Sequence, residues 1–158
     1  MTNDLQQRRV VLIFGNPENG KSYLANQLHV NYGYHLVRLD RVYVEFVQTR
    51  YPILYLPALN QVIAQHYNMI LVPCDRAGIA PRAVAAWRDH VASLAEEVSR
   101  QSHLVAIEGY LLAPVLDAVQ ERLTGTAVVT TVEAHQWRYL VAGMAKTIEQ
   151  IHGGNDAA

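Results

Sequence analysis

One segment near the start of the chain constrains the fold more than any other. The apolar run Val10-Val11-Leu12-Ile13-Phe14 leads directly into Gly15-Asn16-Pro17-Glu18-Asn19-Gly20-Lys21-Ser22. A continuous apolar run that ends at a glycine is typical of a strand buried on both faces, as in the middle of a parallel sheet. From Leu24 to Leu28 the apolar residues recur at helical spacing. The segment therefore predicts a buried strand, a glycine-containing loop and a helix in direct succession.

The loop matches the pattern G-x-x-x-x-G-K-[ST], in the strand and helix context that this pattern requires. Glycines let the backbone curl so that successive N–H groups face a phosphate, and the following helix adds its positive end. Lys21, one of only two lysines in the chain, would reach the β- and γ-phosphates, and the Ser22 hydroxyl would ligate Mg²⁺. A chance match in an ordinary turn is the alternative, against which the flanking strand and helix argue. We therefore predict a phosphate-binding loop.

The rest of the chain alternates between strand and helix patterns. The further predicted strands are Leu36–Leu39, Leu104–Ile107 and Ala127–Val132, and the predicted helices lie over Val42–Val47, Ala58–His66, Val84–Val98, from Pro114 onward and over Trp137–Ile151. Met69–Val72 fits either a strand or an extended segment. This alternation predicts a single α/β domain over residues 1–158, a three-layer sandwich around a mainly parallel sheet of four to five strands. Residues 1–9 and 152–158 are expected to be flexible ends.

Composition argues against several other classes of protein. Thirteen Lys and Arg against fourteen Asp and Glu give a net charge of -1, so the chain lacks the basic field on which non-specific nucleic-acid binding depends. Cys74 is the only cysteine, which excludes an internal disulfide and a thiolate zinc cluster. No apolar stretch approaches the roughly 18 residues that a membrane span needs. We therefore expect a soluble, cytoplasmic protein without membrane or nucleic-acid partners, and homo-oligomer formation is left open.

Two acidic residues follow predicted strands and are candidates for catalysis. In a parallel sheet the ligand sits beyond the carboxyl ends of the strands, where Gly15, Asp40 and Glu108 all fall. Asp40 could take the proton of a substrate hydroxyl or hold a metal-bound water, and its structural alternative is the N-cap of a helix starting near Arg41. Glu108 could coordinate Mg²⁺ through water or accept a hydrogen bond from a substrate hydroxyl, and its structural alternative is to neutralise Lys21 or an arginine. The predicted metal ligands are Ser22, Asp40 and Glu108.

Phosphoryl transfer also requires positive charge near the transferred group, which arginine supplies well because its guanidinium binds phosphate oxygens in pairs. The candidates are Arg138, after the last predicted strand, and Arg76 and Arg82, with a solvated surface position as the alternative for each. Tyr43 is the tyrosine best placed for a ligand contact, whereas Trp87 belongs to a helical stripe typical of packing. The predicted substrate-binding residues are Asp40, Tyr43, Arg76, Arg82 and Glu108.

Three segments taken together carry a family resemblance. They are the loop Gly15–Ser22, Asp40 with Tyr43 three residues later, and Val105-Ala106-Ile107-Glu108-Gly109-Tyr110-Leu111-Leu112. In order and approximate spacing they resemble the P-loop kinase-like family, especially the small-molecule branch of uridine kinase and nicotinamide riboside kinase, over residues 10 to 140. The first segment is shared by P-loop proteins at large, and the other two are suggestive of the branch.

The resemblance implies a role for each matching residue. Lys21 and the loop amides would bind the ATP phosphates, and Ser22 would bind Mg²⁺. Asp40 would be the base for the acceptor hydroxyl, Glu108 would lie near metal or substrate, and Arg138 would be the lid arginine. The predicted nucleotide-binding residues are Gly15, Asn16, Pro17, Glu18, Asn19, Gly20, Lys21, Ser22 and Tyr23. The predicted catalytic residues are Lys21, Asp40, Glu108 and Arg138.

The chain also departs from the family pattern at its C-terminal side. The lid region offers one arginine where relatives commonly show several, and only one more helix follows, without the fifth strand and loop that usually hold adenine. We therefore expect a short or missing lid and a fold truncated at its C-terminal end.

The expected activity is ATP- and Mg²⁺-dependent transfer of the γ-phosphoryl group to a hydroxyl of a small metabolite, a nucleoside or riboside. The expected partners are thus a nucleotide and a small-molecule acceptor, with ATP and Mg²⁺ as cofactors. Two alternatives stay open. One is a P-loop module that binds nucleotide without turnover, as a pseudokinase or regulator, and the other is an NTP hydrolase that acts with a partner.

Overall fold

The computed structural model describes residues 7–15, 20–50, 62–63, 71, 77–109, 113–134 and 141–153. Within these ranges, strands and helices alternate as the sequence predicts. The strands are β1 (Arg9–Phe14), β2 (His35–Arg38), β3 (Leu104–Glu108) and β4 (Val128–Glu133). The helices are α1 (Lys21–Tyr32), α2 (Leu39–Arg50), α3 (Pro81–Gln101), α4 (Ala113–Leu123) and α5 (Val141–Gly153).

The four described strands form one sheet in the order β2-β3-β1-β4, and every neighbouring pair is parallel. The register places Glu108 of β3 opposite Ile13 of β1 and opposite Arg38 of β2. The carboxyl ends of these strands therefore lie side by side at one edge of the sheet. This confirms the predicted α/β class and its parallel sheet.

Helices cover both faces of the sheet because β1 is apolar on both of its faces. Val10 and Leu12 pack into one core cluster with residues of α2, α3 and α4. Val11 and Ile13 point the other way, into a cluster formed with α1 and α5. All four side chains are buried, as the continuous apolar run predicts. The result is a layer of helices on each side of one sheet, consistent with a three-layer sandwich.

Helix α3 supplies the largest side chain of the core. Pro81 occupies its first turn, as predicted, and the Trp87 ring is fully buried. The rings of Tyr43 and Phe46 from α2 contact it edge-on, with centroids 5.1 and 5.4 Å away. Leu94, predicted in the buried stripe, is only partly buried, and the buried positions on that side are held by Ala92 and Ala95. These small side chains allow α4 to pack closely against α3.

The second strand ends one residue earlier than its pattern predicts. It spans His35–Arg38, and Leu39 is already the first residue of α2. Leu39 is fully buried, and its Cβ lies beside the Gly109 backbone at the end of β3. The apolar character of Leu39 therefore reflects helix packing rather than a further strand position.

The start of β1 is bonded to the end of α5. The Arg9 guanidinium donates a hydrogen bond of 2.7 Å to the His152 carbonyl oxygen. The His152 ring stacks at a tilt on Tyr32 and lies 3.3 Å, Nδ1 to Oη, from Tyr34. Arg9 and His152 both fall in the ranges expected to be flexible, and here they belong to a strand and a helix.

Some predictions fall on residues outside the described ranges. Nearly all of the predicted helix Ala58–His66 and of the segment Met69–Val72 lie there, as do Trp137 and Leu140. Among the helices that are described, none has both the length and the apolar character needed to cross a membrane.

Replacement of Trp87 by Ala tests the assignment of the core. We expect Trp87→Ala to lower the free energy of unfolding by about 3 to 5 kcal/mol, because it removes the largest fully buried side chain and leaves a cavity. Val30→Ala, at a position that is 67% exposed on α1, should change it by less than about 0.5 kcal/mol. Urea denaturation followed by circular dichroism measures both. Equal losses in the two variants would contradict the assignment.

His90 should make the stability of the fold depend on pH. Burial lowers the pKa of His90 from its usual 6.5, the charge of Arg50 lowers it further, and Glu45 opposes the shift. As pH falls below about 6.5, the unfolded chain takes up a proton at this position while the folded chain does not, so stability is lost toward acid.

Thermal melts between about pH 8 and pH 5 measure this dependence. We expect the melting temperature of His90→Gln to fall less steeply toward acid than that of the unmodified chain. His103→Gln, at an exposed position, is the matched control and should keep the original slope. An unchanged slope in His90→Gln would refute the argument.

Candidate active site

The connections that follow β1 and β3 run to opposite faces of the sheet. Helix α1, after β1, packs on the face of Val11 and Ile13, whereas α4, after β3, packs on the opposite face. These two strands are neighbours, so the topology has a switch point between their carboxyl ends. Such a switch point is where open α/β sheets bind their ligands. Gly15 and Glu108 are located at this point.

Two glycines allow the chain to pass closely at the ends of these strands. Gly15 has φ +137°, and a Cβ on it would lie 2.6 Å from the carbonyl oxygen of Ala134. Gly109 has φ +153°, and a Cβ on it would lie 2.9 Å from the Cβ of Leu39. The Gly109 N–H donates a hydrogen bond of 3.0 Å to the Ile13 carbonyl oxygen, which ties the exit of β3 to β1. Only glycine fits at these two positions without movement of the backbone.

Gly20, Lys21 and Ser22 form the start of α1, directly at the switch point. Gly20 adopts the left-handed conformation, with φ 89°, and its carbonyl oxygen accepts the first helical hydrogen bond from Leu24. Lys21 and Ser22 occupy the first turn, where N–H groups lack helical partners and the helix dipole is positive. Asn16, Pro17, Glu18 and Asn19 lie outside the described residues. The described part of the loop thus has the backbone features of an anion-binding helix start.

Glu108 is the central charged group of the site. It is only 4% exposed, although it is the last residue of β3, at the carboxyl end of the strand. The Ser22 hydroxyl lies 3.3 Å from its Oε1 and 3.4 Å from its Oε2 and donates to this carboxylate. On the other side, the Nε of Arg38 lies 3.9 Å from Oε1. The carboxylate therefore bridges the first turn of α1 and the end of β2.

Burial and neighbouring charges shift the pKa values of Glu108 and Lys21. Burial raises the pKa of Glu108 and the Asp40 charge adds to this rise, whereas Arg38, Lys21 and the hydrogen bond from Ser22 oppose it. Burial also lowers the pKa of Lys21, against the opposing charges of Glu108 and Asp40. Two cations and two carboxylates thus act on each other in a partly dehydrated space. Such a cluster of coupled titratable groups in a crevice is typical of an active site.

Asp40 differs from its predicted placement but belongs to the same cluster. It is exposed in the first turn of α2 rather than at the end of a strand, and α2 begins before it, at Leu39. The structural alternative for Asp40, the N-cap of a helix starting near Arg41, is therefore wrong, because α2 already includes Asp40. An acidic side chain in a first helical turn is stabilised by the helix dipole. Its charge also acts on both Lys21 and Glu108, so the three groups are brought together as predicted.

Of the other predicted site residues, Tyr43 is not available to a ligand. Tyr43, expected to contact a ligand, is 5% exposed, and its ring packs against Phe46 and Trp87. Tyr43 lies one turn further along α2 than Asp40, where its ring meets Trp87 of α3. Arg82 and Tyr23 are exposed in the first turns of α3 and α1. Arg76 and Arg138 lie outside the described residues.

Arg38 is the site residue that sequence reasoning missed. It ends β2 directly opposite Glu108 in the register. The strand prediction ran to Leu39, which placed Arg38 inside the strand instead of at its carboxyl end. A prediction that ended the strand one residue earlier would have placed Arg38 at the carboxyl end of its strand, as Glu108 is at the end of β3.

The oxygens of Ser22 and Glu108 are the groups at this point that suit a magnesium ion. Among the residues that the structure describes, no three His, Cys, Asp or Glu side chains come together as a ready-made metal cluster. Mg²⁺ usually takes one or two protein oxygens and completes its shell with phosphate and water. A hydroxyl and a carboxylate 3.3 Å apart are a donor set of that kind.

Comparison with known proteins assigns no family to the chain. No protein-family model matches it, and a search of curated proteins finds no significant match. A function for the chain is therefore inferred from its residues and their geometry.

Replacement of Gly15 by Ala tests the close approach at the end of β1. We expect Gly15→Ala to lower the free energy of unfolding by about 3 kcal/mol or more, because a strained φ and a backbone overlap with Ala134 add together. Gly33→Ala is the matched control: Gly33 also has positive φ, 74°, but a Cβ there meets nothing within 4 Å. It should cost only about 1 to 2 kcal/mol. Urea denaturation compares the two, and a smaller loss at Gly15 would contradict the geometry.

Proposed function

We propose that the protein is a phosphotransferase that uses ATP with Mg²⁺ to phosphorylate a hydroxyl group of a small metabolite, with nucleosides or other ribosides as the acceptor class. The observation that carries the proposal is the contact between Ser22 and the buried carboxylate of Glu108 across the switch point. Lys21 and Asp40 lie within electrostatic reach of the same carboxylate. These are the residue types that phosphoryl transfer requires, gathered where such folds bind ligands.

The start of α1 supports the donor half of the proposal. The first-turn N–H groups of α1 and the ammonium group of Lys21 supply positive charge for the β- and γ-phosphates. Desolvation makes this charge more effective, because Coulomb interactions strengthen as water is excluded. The pattern of Gly15–Ser22 adds the glycines with which phosphate-binding loops curl around a triphosphate.

Ser22 and Glu108 are the residues that would hold Mg²⁺. The hydroxyl would be a direct ligand, and the carboxylate would bind the ion or its water. When bound, Mg²⁺ neutralises charge on the β- and γ-phosphates during transfer. The protein's part is to keep both oxygens beside the phosphate-binding helix turn, which the Ser22–Glu108 hydrogen bond supports.

Asp40 supports the acceptor half. It is exposed at the start of α2, beyond Arg38 and Glu108 along the sheet edge, where an acceptor has access from solvent. In the proposed step Asp40 takes the proton of the acceptor hydroxyl while the acceptor oxygen forms a bond to the γ-phosphorus. The bond from that phosphorus to the bridging oxygen of ADP breaks in line with it, and ADP leaves with that electron pair.

The exposure of Asp40 also favours a second candidate. An acid that is stabilised by the α2 dipole has a structural role without catalysis. In that case the same helix start would bind nucleotide in a regulatory module, and no acceptor would be phosphorylated.

Replacement of Asp40 distinguishes the two candidates. With ATP, Mg²⁺ and a panel of nucleosides and ribosides, we expect the unmodified chain to form a phosphorylated product. Asp40→Asn should lower that rate by about 10²- to 10⁴-fold, because it removes the proton acceptor. Nucleotide affinity, measured by calorimetry, should stay unchanged in this variant.

Two further variants complete the test. Lys21→Ala should abolish phosphate-dependent affinity and activity together, whereas Asp117→Asn, an exposed acid on α4, should change neither. Nucleotide binding with no product from any acceptor would favour the regulatory module. Absence of nucleotide binding in the unmodified chain would refute both candidates.

A further inference from the structure

Arg38 and Glu108 face each other across two neighbouring strands. They are direct partners in the register of β2 and β3, with Arg38 Nε 3.9 Å from Glu108 Oε1. The Glu108 side chain is 5% exposed and that of Arg38 is 35% exposed. The pair thus joins a buried carboxylate to a cation that still reaches solvent at the carboxyl edge of the sheet.

The polar contacts that Ser22 and Arg38 make with Glu108 come from opposite sides. Ser22 belongs to the helix that follows β1, and Arg38 belongs to β2, while β3 lies between those strands. Ser22 therefore approaches the carboxylate from the nucleotide side, and Arg38 approaches it from the acceptor side. The Arg38 charge also offsets the repulsion that Asp40 exerts on Glu108.

We infer that Arg38 is a positioning residue, which holds the Glu108 carboxylate toward Ser22 so that the pair can receive the nucleotide-bound magnesium ion. The inference rests on the proposed function. On nucleotide binding, the ammonium of Lys21 and the hydroxyl of Ser22 turn to the phosphates and the ion. Arg38 stays on the far side of β3, anchored by its strand, and keeps the buried carboxylate in place.

Removal of Arg38 should therefore affect the ion more than the nucleotide. Without its cation, Glu108 keeps the repulsion of Asp40 and loses the contact that fixes its orientation. Residues that orient a metal ligand typically contribute about 10- to 100-fold to metal affinity when tested by mutation. Binding of the nucleotide phosphates themselves depends on the start of α1, which Arg38 does not contact in the described structure.

The test measures the affinity for AMP-PNP, a non-hydrolysable ATP analogue, by calorimetry in Mg²⁺ and in EDTA. The ratio of the two dissociation constants reports the contribution of the ion. We expect Arg38→Gln to reduce that ratio by about tenfold while affinity in EDTA is preserved. Arg38→Lys should restore most of the ratio, since it keeps a cation on β2. Arg41→Gln, an exposed arginine on α2, is the matched control and should leave the ratio unchanged.

A double-mutant cycle decides whether Arg38 acts through Glu108. Glu108→Gln alone should reduce the same ratio, and Arg38→Gln should add nothing in that background. A further reduction in the double variant, or an unchanged ratio in Arg38→Gln, would overturn the inference while leaving the proposed function intact. Equal losses in Mg²⁺ and in EDTA would indicate a general structural defect and would also overturn it. If the unmodified chain binds no AMP-PNP under either condition, the proposed function itself fails.

Discussion

Burial of the Glu108 carboxylate at the switch point is the constraint on which the candidate site depends. A charge removed from water is costly unless other groups bond to it, so the surrounding structure must supply partners. Here they come from two elements that are distant from Glu108 in sequence, the start of α1 and the end of β2. The parallel sheet brings these elements together because all its strands end at the same edge. Both faces of β1 are covered by apolar side chains. The polar side chains of the central strands therefore gather at the carboxyl ends of the strands.

Much of the fold could be predicted because its central strand and its helices have strong local patterns. Val10–Phe14 is apolar at every position, and the stripe along α3 recurs at helical spacing from Val84 to Val98. Gly33, at the end of α1, has the left-handed conformation that allows a helix to terminate. The end of β2 was placed one residue too late, because a short apolar run does not reveal whether its last member, Leu39, packs in a strand or in a helix.

Only those site residues whose type is required by phosphate or metal chemistry could be predicted from the sequence. Lys21, Ser22 and Glu108 could be found from a motif and from strand ends, and they lie together. Arg38 was missed because its role depends on strand register, which no local pattern encodes. Tyr43 was assigned to a ligand because it follows Asp40 closely in sequence. Residues three apart share a face of a helix, but one turn along α2 that face is covered by α3, and the Tyr43 ring packs on Trp87.

The strand order also has a consequence for synthesis of the chain on the ribosome. β1 emerges before its two partners in the sheet, β3 and β4, which begin more than ninety positions later. A strand with five consecutive apolar residues and no hydrogen-bonding neighbours is prone to self-association until its partners are synthesised. Because β1 leads to the segment before Lys21, the proposed phosphate-binding region cannot acquire its final support until β3 and β4 have been translated. Synthesis from the N-terminus therefore lets α1 form before the sheet is assembled beside it. Holdase chaperones, which shield nascent apolar segments, would act in that interval.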